Sequence, residues 1–351
     1  MKTSTESVSS LKSRWEEYKK EQPQSRIRNA ARDLGVSEME LLATGIGENV
    51  IRLEGDWTAF LKEVKSLGYV MALTRNDSVV HERKGVYNNV SFNNHVGLVL
   101  DPAIDLRLFM QAWKFGFAVK EPFRGDFRYS FQFFDKYGEA VHKIYMTDKS
   151  DLNAYHNLTG TFKSAEQNNE LPVEQKSNEP AREMPDSMID KAALGEDWKA
   201  LKDTHDFYML LGKYRVSRTQ ILRLAPEDLA VKLTPAVLRP LMDGAAEKQI
   251  PIMVFVGNKG CIQIHTGEIK NVAAHENWYN VLDPEFNLHV NENDIDQAWL
   301  VRKPTQDGIV TAVEFYDSKG ELIVQFFGKR KPGIPEDENW RNFADALVSV
   351  N

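Results

Sequence analysis

The sequence predicts an α+β protein made by tandem duplication, each half a large antiparallel β-sheet with its helices placed first. Residues 69–89 (YVMALTRNDSVVHERKGVYNN) align without a gap on 251–271 (PIMVFVGNKGCIQIHTGEIKN), setting Met71 on Met253, Asn76 on Asn258 and Gly85 on Gly267. At the same spacing Leu100-Asp101-Pro102 falls on Leu282-Asp283-Pro284, and FQFFDKYGEAVHKIY (131–145) falls on VEFYDSKGELIVQFF (313–327). In both halves a helical period gives way to a period of two. Strands do not alternate with crossover helices, which favours an antiparallel sheet over a parallel one.

The spacing predicts helices over 8–22 and 25–46, with Ser37-Glu38-Met39-Glu40 reading as a capping box. Trp57, Phe60, Leu61, Val64 and Leu67 then recur at helical spacing after Gly55-Asp56. From about 69 onward, runs such as VMALT, SVVHER, VSFNN, VGLVL, DLRLFM and YSFQFFD are separated by Asn-Asp, Lys-Gly, Asn-Asn and Tyr-Gly turns, a pattern of half-buried strands. The N-terminal repeat is thus set at 1–162. Residues 163–193 are polar, proline-bearing and poor in aromatics, and read as a linker. The C-terminal repeat, 194–351, repeats the order. Helices are expected at 194–213 and 217–224, the second opening on a box-like Ser217-Arg218-Thr219-Gln220, with further helical segments through 226–248. Strands follow over 251–328 and a last helix over 336–348.

A chain of 351 residues with 42% hydrophobic and 10% aromatic residues has room for two ordinary cores. Its net charge of −7 argues against a general attraction to nucleic acid, and no nucleic-acid partner is expected. The single cysteine, Cys261, permits no intrachain disulfide and lies in an apolar run, so it reads as a buried core thiol. The first twenty residues lack a signal-peptide apolar region, and no run reaches the roughly 18–20 apolar residues of a membrane span. A soluble intracellular protein is expected.

Familiar catalytic motifs are absent: no G-x-G-x-x-G after a strand, no phosphate-binding loop, no H-E-x-x-H, C-x-x-C or G-x-S-x-G. Asp151 and Asn153 lack the rest of a calcium-binding loop. The eight histidines do not pair at metal-ligand spacing. A lone histidine can still hold a haem iron, because the porphyrin supplies four nitrogens. Two patterns bear on that chemistry. In EDWKALKDTHDFYMLLGKYRVSR, Trp198, Leu201, His205 and Tyr208 fall on one helical stripe, so His205 is expected to face protein, either as a core imidazole bonded to a carbonyl or as an axial ligand. In DPAIDLRLFM, alternation puts Ile104, Leu106 and Leu108 on one strand face and Asp105, Arg107 and Phe109 on the other. Arg107 is then either a surface partner of Asp105 or a guanidinium aimed into a cleft beside an aromatic. In the second repeat His289 takes the place of Arg107.

With these two patterns, the chain from about Trp15 to Leu347 resembles the bacterial cytoplasmic haem-trafficking and haem-degrading proteins of the HemS/ChuS type. The resemblance rests on VHERKGVY, GLVLDP-x-x-DLRLF, W-x6-H-x-F, IMVFVGNKGCIQI, WYNVLDPEFNLH, AWLVRKPT-x-DG and QFFGKR, in that order and spacing. It implies a haem cleft between the halves, with His205 as proximal iron ligand and Arg107 reaching the opposite face. It further implies haem contacts from Phe109, Arg218, Met253 and Phe255, and polar contacts at the haem edge from Lys303, Gln325 and Arg330. Phe327 stands where several relatives carry Tyr, which removes a phenol donor and keeps an apolar contact. The disc of haem suits Phe109, Met253 and Phe255, and its carboxylates suit Arg218, Lys303 and Arg330.

The resemblance implies a cytoplasmic protein that takes haem from an inner-membrane importer and opens the ring oxidatively to release iron. Haem is then both cofactor and substrate, and electrons come from an external donor such as a reductase. The same residues serve a carrier that hands haem to a separate haem oxygenase. A third reading is a duplicated scaffold with no haem role.

Overall fold

The computed structural model describes residues 8–176, 183–331 and 333–350. They divide into two compact units. Unit 1 comprises residues 8–75, 83–176 and 258–262; unit 2 comprises 76–82, 183–257, 263–331 and 333–350.

The first repeat supplies α1 (Val8–Glu21), α2 (Ile27–Leu34), α3 (Glu38–Ala43), β1 (Val50–Leu53), α4 (Trp57–Glu63), β2 (Gly68–Arg75), β3 (Val79–Gly85), β4 (Val90–Asn93) and β5 (Val96–Leu100). It continues with β6 (Asp105–Phe109), β7 (Phe115–Phe123), β8 (Asp126–Phe134), β9 (Ala140–Ser150) and α5 (Leu152–Phe162). The second supplies α6 (Lys191–Lys199), α7 (Phe207–Tyr214), α8 (Arg218–Leu224), β10 (Ala230–Leu233), α9 (Leu238–Glu247), β11 (Ile252–Gly257), β12 (Cys261–Gly267) and β13 (Val272–His275). It ends with β14 (Trp278–Leu282), β15 (Phe286–Asn291), β16 (Gln297–Thr305), β17 (Gly308–Tyr316), β18 (Leu322–Gly328) and α10 (Glu338–Ala346).

Within unit 1 the strands run β1-β7-β8-β9-β2, and β4-β5-β6 form a second antiparallel run. Unit 2 repeats this as β10-β16-β17-β18-β11 and β13-β14-β15. Helices first and antiparallel strands second is the expected α+β duplication. The repeat also extends to single bonds. In unit 2, Asn76 donates to Gly257 O and Ile323 O while its own oxygen accepts from Ser78 and Val79. In unit 1, Asn258 donates to Arg75 O and Val141 O and accepts from Gly260 and Cys261. All these partners correspond at a spacing of 182, so one turn motif is built twice.

In each unit the sheet carries core on both faces. In unit 1, α4 and α5 close a core through Phe60, which meets Phe131 at 4.9 Å and Phe162 at 5.1 Å between ring centres. In unit 2, α9 and α10 cover Val254, Val256, Phe315 and Phe326, with Trp340 of α10 fully buried among them. On α3 the expected capping box is present: Ser37 Oγ accepts from Glu40 N, and Glu40 accepts from Ser37 N. Glycine is required in the β8–β9 and β17–β18 turns. Gly138 (φ 75°) and Gly320 (φ 77°) are left-handed, and an added Cβ would come within 2.2 Å of Ser37 and 2.8 Å of Thr219. Each turn thereby lies against the start of a helix, α3 or α8.

Several elements differ from the sequence expectation. Residues 25–46 hold two helices broken at Gly35 (φ 71°). The stretch 226–248 begins with the short strand β10 before α9, and α5 and β1 were not anticipated. The polar stretch after 162 is also anchored: Gln167 bonds Arg52 O, and Leu171 and Val173 pack on unit 1. Likewise, Glu183 and Asp186 pair with Arg223 on unit 2.

Candidate functional site

On unit 2 the site is organised around a carboxylate that the sequence reading passed over. Ser217 caps α8 by accepting from Gln220 N at 3.1 Å, which fixes Arg218 as its first residue. The box is not completed, because Gln220 donates instead to Met184 O and Asp186. Arg218 reaches Glu314 of β17 at 3.0 Å, Tyr316 Oη at 2.8 Å and Tyr208 Oη at 3.4 Å. Lys303 of β16 donates to Glu314 at 2.9 Å, Gln325 of β18 donates at 2.8 Å, and Tyr316 donates as well. The Glu314 side chain is fully buried, Lys303 is 4% exposed and Arg218 12%.

Burial opposes a charge on Glu314, but Arg218 and Lys303 outweigh it and hold the carboxyl well below the ordinary carboxylate range. Burial pushes the Lys303 ammonium down, offset in part by Glu314, and Arg218 adds to the depression. Two cations against one anion leave a local surplus of positive charge. A ligand carboxylate approaching Arg218 and Lys303 would find charge-assisted donors already held in place.

The apolar part lies on the same sheet. Along β11, Ile252, Val254 and Val256 enter the core, leaving Met253 and Phe255 half-buried on the other face. Met253 pairs across with Phe327 and Phe255 with Gln325, while Gln325 pairs with Glu314. Phe255 and Phe327 meet edge to face at 5.0 Å. Met253, Phe255, Phe327, Gln325, Lys303 and Arg218 therefore share one neighbourhood, an apolar surface bordered by cations.

His205 departs from the expected stripe. The helix predicted over 194–213 is two helices: α6 stops at Lys199, and a single 3₁₀ turn, Thr204–Asp206, precedes α7. Asp203 interrupts it by capping the turn. Its Oδ1 accepts from His205 N at 2.8 Å, and Asp206 accepts from Asp203 N at 3.1 Å. Trp198 and Leu201 are buried as expected, yet the His205 side chain is 89% exposed. His205 Nδ1 lies 2.5 Å from Asp203 Oδ1. The Asp203 carboxyl is held below its ordinary range by the His205 backbone N–H first, then by the imidazole, with Arg330 adding its charge. The same segment joins the cationic group: Lys303 Nζ sits 4.6 Å from the Phe207 ring, and Arg218 lies over Phe207 and Tyr208.

Arg107 and Phe109 belong to β6 of unit 1. Leu106 and Leu108 are buried while Asp105, Arg107 and Phe109 are half-buried, as alternation predicts. Arg107 forms an ion pair with Asp105 and donates to Leu106 O at 3.2 Å. Burial raises the Asp105 carboxyl, and Arg107 only partly opposes this. His81 in VHERKGVY is fully buried against Phe286, 4.9 Å between ring centres, so it offers no open ligand position. Cys261 is buried, its thiol pushed up to about 12 by burial. Among the described residues no group of three or more His, Cys, Asp or Glu is arranged to hold a bare metal ion.

Glu314, Tyr316 and Asp203 were missed. An acid inside the apolar run TAVEFY was the available signal for Glu314, since a buried carboxylate demands cations nearby. The D-x-H spacing was the signal for Asp203.

Comparison with known proteins agrees over almost the whole chain. A model of the haemin-degrading HemS/ChuX domain matches residues 35–162 and 215–347. The hemin transport protein HmuS of Yersinia pestis is 39% identical, covering 97% of this chain and 98% of that protein. The crystal structure of holo-PhuS, a heme-binding protein from Pseudomonas aeruginosa, superposes with a TM-score of 0.94 at 47% identity, covering 97% of this chain and 99% of the other. ChuS of Escherichia coli O157:H7, described as a heme degrading enzyme, gives 0.90 at 34% identity over 97% and 99%.

Proposed function

This chain belongs to the haemin-degrading HemS/ChuX family, and we propose that it binds haem and opens the ring oxidatively to release iron. Haem is its substrate. The single observation that carries this reading is the 3₁₀ turn at His205 where it runs into α7. An exposed imidazole, held by a carboxylate, stands on the same short segment as the rings under Arg218 and Lys303. In this reading His205 Nε2 ligates the iron. Arg218, Lys303 and Arg330 take the haem carboxylates, and Met253, Phe255 and Phe327 contact the disc beside Gln325. Arg107 and Phe109 are assigned to the other face of the ring. Bound iron supplies the oxygen chemistry, while the protein orients the ring and holds its charges. Electrons come from an external reductase, since no flavin or nicotinamide motif is visible in the sequence.

We place the protein in the cytoplasm, receiving haem from an inner-membrane importer. Among the described residues no helix is long and apolar enough to cross a membrane. A carrier that delivers haem to a separate haem oxygenase is the second reading. It is favoured by the Arg107–Asp105 ion pair, which already engages the guanidinium assigned to the reaction.

The deciding experiment incubates hemin-loaded protein with a reductase, NADPH and catalase. Loss of the Soret band with release of an open tetrapyrrole and carbon monoxide is the expected outcome. Loss that catalase abolishes would leave the carrier. Arg107→Ala should slow turnover far more than it weakens hemin binding; equal loss of both would remove its assigned role.

A further inference from the structure

We infer that Asp203 is a positioning residue for His205: it fixes the imidazole with its proton on Nδ1 and presents Nε2 to the ligand iron as a strengthened donor. The inference rests on His205 being that ligand. One oxygen of Asp203 accepts two bonds, from the His205 backbone N–H at 2.8 Å and from Nδ1 at 2.5 Å. Capping the turn needs only the first. The second does something a cap does not: it selects one tautomer and restrains a ring that is 89% exposed. An exposed imidazole without such a partner would sample rotamers and both tautomers. The backbone that carries this carboxylate is held as well, because Asp206 accepts from the Asp203 N–H at 3.1 Å. A carboxylate accepting from the far nitrogen of a metal-bound imidazole raises its basicity and favours the higher oxidation state of the metal.

The duplication separates this role from the needs of the fold. α2 and α7 are both eight residues long, lie 180 residues apart, and end on left-handed residues, Gly35 and Arg215. At that spacing Asp203 and His205 correspond to Pro23 and Ser25. The same helix is therefore built without a carboxylate–imidazole pair, and both members of the pair change together.

Asp203→Asn is the discriminating variant, since asparagine caps a helical turn as well as aspartate. In full-length hemin-loaded protein it should lower the ferrous iron–imidazole stretching frequency, shift the iron reduction potential to more positive values and weaken ferric hemin binding severalfold. An unchanged frequency and potential would overturn the inference. Should the variant fail to fold, nitrogen-15 NMR of the histidines in the ligand-free wild-type protein decides alone. A proton on Nδ1 of His205 supports the role, and a proton on Nε2 refutes it. The parent reading fails separately, if His205→Ala leaves the hemin spectrum unaltered.

Discussion

Units 1 and 2 share a scaffold and invert its charges. α3 and α8 open on equivalent residues, Glu38 and Arg218, each behind a serine cap. In unit 1 the helix carries the acid: Lys143 of β9 and Arg75 of β2 both donate to Glu38. In unit 2 the helix carries the cation and β17 carries the acid, Glu314. At the repeat spacing of 182, Lys303 corresponds to Glu121 and Arg330 to Asp148, while His205 corresponds to Ser25 at 180. The three positions assigned to the haem carboxylates are thus all acidic in unit 1. The sheet and helices are built twice, and in the proposed function the sign of a few side chains lets only unit 2 receive an anionic ligand. The cores diverge as well. Thr74, Tyr87, His142 and Cys261 form a buried polar group in unit 1, where the equivalent positions of unit 2 are Val256, Ile269, Val324 and Val79.

The strongest way to break the comparison is at the proposed iron ligand. His205→Ala should change the Soret spectrum outright and weaken hemin binding by more than about 1.4 kcal/mol, tenfold. Adding Ser25→His to that variant should not restore it, since Glu38, Glu121 and Asp148 replace the cations that unit 2 provides. Recovery of the wild-type spectrum in the double variant would show that the scaffold, not the charges, makes the site.

Next come the buried carboxylates. Glu314→Gln leaves Arg218 and Lys303 without their counter-charge, and should cost about 3–5 kcal/mol in chemical denaturation. Glu38→Gln should cost less, because Glu38 keeps 5% exposure and is held by two cations, whereas the fully buried Glu314 also accepts from Gln325 and Tyr316. Equal losses would erase the proposed difference between the two networks. Both carboxyls titrate below their unfolded range: burial alone would raise Glu38, but Lys143 and Arg75 hold it at about 2. Their contribution is therefore complete above the ordinary carboxylate range and is lost as pH falls toward the folded values.

In unit 1 the polar core predicts a milder acid effect, centred on His142. Burial pushes His142 down to about 3, so the folded chain keeps it neutral where the unfolded chain takes up a proton. Stability contributed by the neutral form is present above about pH 6.5 and declines at most about 1.4 kcal/mol per pH unit below it. Hydrogen exchange at pH 5 should accordingly open strand β9 before its counterpart β18. Simultaneous opening would deny His142 that role.

How much of this was legible depended on whether a feature lies in local spacing. The duplication, the Ser37 box, the alternation around Arg107 and the burial of Cys261 each follow from a few neighbouring residues, and all appear in the structure. β1 and β10 are four-residue edge strands whose pairing comes from β7 and β16, so no local period announces them. Trp198, Leu201, His205 and Tyr208 fit one helix and also two helices joined by a turn; Asp203 decided between them by bonding the backbone of His205. Glu314 was illegible for a different reason: its meaning lies in Arg218, Lys303 and Gln325, which are remote in sequence and meet only across the sheet and α8.

The smallest expected effect tests whether the apolar half of the site tolerates a polar atom. Phe327 corresponds to Tyr145 in unit 1, whose ring lies 4.4 Å beneath the Arg128 guanidinium. Phe327 is half-buried, stacked edge to face on Phe255, and cross-strand from Met253. Phe327→Tyr adds one hydroxyl to a ring whose apolar contacts stay in place. Because the ring is only half-buried, the hydroxyl can reach water or the edge of a bound ligand, and hemin affinity should change by less than about 1.5 kcal/mol. A larger loss, measured by hemin titration, would mean that the ring is enclosed once ligand is bound and that the phenol is left without a partner. A gain of that size would mean that the hydroxyl finds an acceptor on the ligand, extending the polar rim of unit 2 onto β18 beyond Gln325.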